Sequence, residues 1–113
     1  MPPRNISIIT RTGVSAVAIG AEATLVAAYV VPAGATLRVT DVIFTSNVTA
    51  TFWLATAAFA HIEQFYQPAG GGGYGSTTLA SPVEVTAGNT LLVRALAAGA
   101  AYTECTWIGI LLS

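Results

Sequence analysis

Apolar and β-branched residues in this chain gather into about eight short runs, each bounded by turn-forming residues. That spacing leaves little room for anything but strands. The runs lie near residues 5–12, 23–31, 36–45, 49–56, 61–66, 77–85, 89–96 and 102–112. Ile6 and Ile8 alternate with polar neighbours, as do Leu37 and Val39 with Arg38 and Thr40. A change of phase near 41–43 predicts a β-bulge in the third run. Pro32 stops the second run, and Ser81-Pro82 places the sixth at a sheet edge or a break, because Pro cannot donate to a ladder. Two Ala-rich stretches, 55–60 and 95–101, have helical propensity but are too short for more than a single turn. The chain of 113 residues is therefore read as all-β: an antiparallel β-sandwich, jelly-roll-like, of about eight strands. Residues 1–20 are expected to form an N-terminal arm or first strand, and residues 21–113 the sandwich.

An internal echo sharpens this picture. Residues 31–39 and 85–93 share the pattern V-x-A-G-x-T-L-x-V. Its physical content is a tight turn that needs Gly, followed by a strand whose Leu and Val point to one face. Two copies suit two related corners of one sandwich and are too few for a solenoid.

Composition bears on partners. Apolar residues make up 54% of the chain and charged residues 8%, with four Arg, five acids and no Lys. A typical domain carries about 25% charged residues. Lys and Glu are depleted at interface cores because immobilising them costs entropy, so this surface suits a protein held in contacts. A compositional bias towards Ala and Gly would give the same figures. The formal net charge of −1 and the lack of a basic patch argue against nucleic acid as a partner. No apolar stretch reaches the ~20 residues a spanning helix requires, since Glu22 and Pro32-Ala33-Gly34 interrupt the best one, and no membrane association is expected. Arg11 falls where the apolar part of a signal peptide would run.

Residues with chemical potential are few. The lone Cys105 excludes an internal disulfide and reads as a small core residue. His61 and Glu63, two apart on a strand, would share a face and could hold a metal or act as a base and its orienter. Two ligands fall short of a zinc site, and a surface or interface pair is the better reading. The glycine-rich loop 68–76 lacks the Lys of a phosphate-binding loop and reads as a flexible or contact loop anchored by Tyr74. Phe52 and Trp53 are adjacent, as are Phe65 and Tyr66, so one of each pair should fill the core and the other face outward. No catalytic residues, metal site or cofactor is expected.

The stretches YVVPAGATLRVTDV at 29–42 and SPVEVTAGNTL at 81–91, with a short closing strand, resemble small tailed-phage virion proteins. These are the jelly-roll capsid decoration (cement) proteins and β-sandwich modules of tails. The resemblance covers about residues 24–112. It implies a non-enzymatic homotrimer on the virion, bound to the major capsid protein and bridging capsomers, with the N-terminal segment as a capsid-contacting arm. Expected contact residues are Arg4, Arg11, Trp53, His61, Glu63, Tyr66 and Tyr74. The alternative is a tail module that binds a receptor or carbohydrate, with a sugar stacked on an exposed aromatic such as Trp53 near Asn47.

Overall fold

The computed structural model describes residues 5–67, 75–99 and 102–113. Its strands are β1 (Ile6–Ser15), β2 (Ile19–Val30), β3 (Thr36–Ser46), β4 (Ala50–Ala55), β5 (His61–Gln67), β6 (Gly75–Thr86), β7 (Thr90–Ala97) and β8 (Thr103–Leu112). They form two four-stranded antiparallel sheets, ordered β1-β8-β3-β6 and β2-β7-β4-β5. First pairs with last, second with seventh, third with sixth and fourth with fifth. The chain is thus one long hairpin, with its tip at β4–β5, wound around a common core. Pairing of β3 with β8 and of β4 with β7 closes each sheet. This is the double Greek key winding of a jelly roll.

The two echoed segments are the two corners at one end. Ala35 N–H bonds Pro32 C=O at 3.2 Å, and Asn89 N–H bonds Thr86 C=O at 3.1 Å. Gly34 (φ 78°) and Gly88 (φ 82°) take the left-handed conformation that each turn demands. The corners also bond each other: Val31 N–H donates to Asn89 C=O, and Gly88 N–H to Val31 C=O, both at 2.9 Å. Each turn then launches an inward Leu and Val, Leu37 and Val39 on β3 and Leu91 and Val93 on β7, all fully or almost fully buried.

Alternation along the strands fills the core. Phe52 is completely buried and packs on Phe44 (5.1 Å between ring centroids), which also meets Phe65 (5.9 Å). Their neighbours Trp53 and Tyr66 point outward, as the adjacent pairs predict. Trp107, the largest fully buried side chain, meets Tyr29 edge-on at 5.7 Å. Its indole N–H has no hydrogen-bond partner, which is unusual for a buried donor.

The β3 bulge falls between Val39 and Asp41 against both neighbours, one residue earlier than the expected phase change. It moves the inward set from Leu37 and Val39 to Val42 and Phe44. β6, which contains Ser81-Pro82, is a sheet edge. The Ala-rich stretch after β4 makes no helix. It closes as a tight loop, with Thr56 N–H bonded to Ala60 C=O and Ala60 N–H to Ala57 C=O.

Residues 6–15 are the edge strand of the first sheet, paired with β8 along their whole length from Ile6↔Leu112 to Ser15↔Thr103. β1 also lies hard against β2. A Cβ on Gly13 would sit 1.9 Å from the Leu25 carbonyl oxygen, so only Gly fits there.

Candidate interaction surfaces

On the outer face of the second sheet, one carboxylate gathers an arginine and a histidine side chain. β7 alternates, so Leu91, Val93 and Ala95 point inward while Leu92 and Arg94 point outward. Arg94 crosses to β2, where its Nε bonds Glu22 Oε2 at 3.0 Å, one terminal nitrogen bonds Thr24 Oγ1 at 2.9 Å, and the other bonds the Glu22 carbonyl at 3.2 Å. His61 Nε2 lies 2.8 Å from Glu22 Oε1. The Glu22 and Arg94 side chains are each 10% exposed. Burial works to raise the Glu22 pKa. Hydrogen bonds and positive charge from His61 and Arg94 outweigh it, and the net effect lowers the pKa below its ordinary 4.5.

Aromatic rings enclose this group. The His61 imidazole stacks on the Trp53 indole at 4.6 Å and 12°, and Trp53 Nε1–H bonds Gln64 Oε1 at 3.2 Å. The Phe59 ring lies 5.3 Å from the Arg94 guanidinium, within cation–π range. Phe59 holds φ 62°, rare for a residue with a side chain, and the residue is 72% exposed.

One expectation needs correction here. His61 and Glu63 do not share a face, because a bulge at Ile62 sets Glu63 opposite Leu54 and His61 opposite Ala55. The carboxylate that His61 meets is Glu22, from across the sheet. One ring face of Trp53 is covered by His61, and the Asn47 side-chain oxygen accepts from Tyr102 N–H at 3.2 Å.

The outer face of the first sheet differs in kind. β1 and β8 together present Ile6, Ile8, Thr10, Thr12 and Val14 beside Leu112, Ile110, Ile108, Thr106 and Glu104. Ile6, Ile8 and Val14 are 68%, 76% and 54% exposed. The Thr12 and Thr106 hydroxyls bond at 2.7 Å. In this strip Glu104 is the one charged outward residue. Charge returns towards β6, where Arg38 and Glu84 form an exposed ion pair at 3.0 Å. Arg11 belongs to the opposite alternation and lies 5.1 Å over the Tyr29 ring.

Glu63 and Tyr66 are exposed on β5, while Arg4 and Tyr74 lie outside the described residues. Arg94, Glu22 and Phe59 were missed by the sequence reading. A charged residue inside the apolar run LLVRALA was the available signal, because a strand this buried requires the charge to be paired. A cleft of about 350 Å³ between β1 and β2 is lined by Val14, Val17, Ile19, Thr24 and Leu25 among others, with no titratable group. Cys105 is buried, and desolvation, then the charge of Glu104, pushes its thiol pKa up to about 12. Among the described residues no three metal-ligating side chains converge, and no helix is long and apolar enough to cross a membrane.

No protein-family model and no curated protein matches the chain. Among solved structures, a chain of the cyanophage Pam1 capsid asymmetric unit superposes with a TM-score of 0.52 at 19% identity. The match covers 95% of this chain and 85% of that one. The fold is that of a phage capsid chain. A likeness of that extent spans both sheets of the sandwich.

Proposed function

We propose that the chain is a non-enzymatic structural component of a tailed-phage virion, a decoration protein that stabilises the capsid by bridging capsomers. The observation that carries this reading is the β1–β8 strip on the outer face of the first sheet, where exposed Ile6, Ile8 and Val14 run beside Ile108 and Ile110 and Glu104 is the one charge. A free monomer rarely leaves such a face to water. A fold shared with a chain of the Pam1 capsid asymmetric unit supports the same reading. The working assembly is a homotrimer seated on the major capsid protein. Arg4, Arg11, Glu63, Tyr66 and Tyr74 are proposed contacts, joined by the Trp53–His61 stack. Many weak contacts repeated by symmetry would then act through avidity.

The test is binding to heads assembled with this reading frame deleted. The purified chain is expected to co-sediment with such heads and to raise the temperature at which they break. Failure to co-sediment would sink the capsid reading. Light scattering checks the trimer, whose mass would be three times the 11.5 kDa chain.

Exposed Phe59 and Tyr66 favour a second reading, a tail module that binds a receptor or carbohydrate. A glycan array left blank at high protein concentration would remove it.

A further inference from the structure

The hydrogen bonds of β1 fix which of its backbone groups stay free. Asn5 N–H bonds Ser113 C=O, and Ser113 N–H bonds Asn5 C=O, both at 3.0 Å. In an antiparallel ladder such exchanging pairs recur at every second residue. The register runs from Ile6↔Leu112 to Ser15↔Thr103 without a shift. Odd-numbered residues of β1 therefore bond β8, while the N–H and C=O groups of Ile6, Ile8, Thr10, Thr12 and Val14 point to the open edge. β1 is the end strand of its sheet, so no strand of its own sheet takes them.

Natural edges of this kind are blunted by Lys, Pro or bulges. This one has ten residues, no Lys, no Pro and an unbroken register. Its only charge, Arg11, is turned back over Tyr29. An edge so built invites a further strand.

We infer that β1 docks on β1 of a second copy, antiparallel and two-fold symmetric about Thr10. A two-fold pairing must set open-edge residues against open-edge residues. The register with the greatest overlap that does so places Ile6 opposite Val14, Ile8 opposite Thr12, and Thr10 opposite itself. Every one of these side chains is β-branched, the type that packs best across strands. No charge opposes a like charge, since Arg11 would face Ile9. The palindromic set selects a copy of this chain over an unrelated strand. Two four-stranded sheets would become one, with Ile6, Ile8 and Val14 of both copies side by side on its outer face. The three-fold contact of a trimer can use other faces, so this pairing would join one trimer to the next. It requires no capsid, and its test stands apart from capsid binding.

Cysteine cross-linking of the full chain reads the register directly. Thr10→Cys should oxidise to a disulfide dimer at twice the 11.5 kDa chain mass on a non-reducing denaturing gel. Ile8→Cys alone should not, because its own counterpart would lie four residues along the strand, about 13 Å away, beyond disulfide reach. Mixing Ile8→Cys with Thr12→Cys should restore the dimer. The native Cys105 is buried and adds no background. Thr10→Pro removes an N–H that points to the open edge, so the β8 ladder and the circular dichroism spectrum should persist while the paired species is lost in light scattering. The inference is overturned if Thr10→Cys stays a single chain, if Ile8→Cys cross-links equally well, or if Thr10→Pro leaves the native mass unchanged.

Discussion

His61 Nε2 sits 2.8 Å from one oxygen of Glu22 while Arg94 Nε holds the other at 3.0 Å, so one acid on β2 serves partners from β5 and β7. β7 is the neighbour of β2, but β5 lies at the far edge of the sheet beyond β4, so the cluster ties three of its four strands. Glu22 titrates lower in the folded chain than unfolded. Its contribution to stability is therefore complete above the ordinary 4.5 and is lost as pH falls through the lowered folded value. The melting temperature of the native chain should fall steeply below that point. Glu22→Gln should melt lower at neutral pH, because Arg94 loses its counter-charge, and should lack this acid-sensitive component. Parallel melting curves across the acid range decide the matter.

Gly13 and Gly20 should respond oppositely to the same change. A Cβ at Gly13 would strike the Leu25 carbonyl, backbone that cannot swing away, whereas a Cβ at Gly20 meets nothing within 4 Å. Gly13→Ala is expected to cost at least the ~1–3 kcal/mol typical of overpacking. It should loosen β1 from β2, read as faster amide exchange in residues 6–15. Gly20→Ala should stay within about 1 kcal/mol of the native chain. Urea unfolding midpoints give both values.

The corner turns should behave as a unit. Gly34→Ala and Gly88→Ala each force a side chain into the left-handed region, at about 1–2 kcal/mol apiece. Val31 bonds the second corner through both its N–H and its C=O, so damage to one corner should already disturb the other. The double variant is expected to lose less than the sum of the singles. A four-member set of denaturation curves measures the coupling.

Cys105 should be chemically silent in the native fold. Its thiol is buried and its pKa is about 12, so almost no thiolate exists at neutral pH. A thiol-specific dye should label it only as the chain unfolds in denaturant. Rapid labelling of the native protein would contradict the placement of β8 between β1 and β3.

Most of the fold was legible because strands announce themselves locally. The short runs, the Pro at an edge and the A-G turns each carry their own geometry, and Leu37, Val39, Leu91 and Val93 all bury as their alternation indicates. The echo even located the two corners that touch. The outer-face cluster was not legible, because Glu22, His61 and Arg94 are brought together by strand order across a sheet, which no local spacing encodes. The His61–Glu63 pairing failed for a related reason. It assumed an unbroken strand, and the single extra residue at Ile62 turned one side chain to the other face. Phe59 was hidden by its Ala-rich surroundings, which read as helix propensity while the chain there turns back on itself.

The pairing of Ile6 with Leu112 has a consequence for the chain's birth. β1 leaves the ribosome well before β8, the strand it must pair with, has been made. During synthesis β1 is an apolar ribbon with neither edge occupied, and contacts so distant in sequence form slowly. Maturation of this sheet is therefore tied to synthesis of β8, and truncation before Thr103 would leave an orphaned strand with the composition of an aggregation seed.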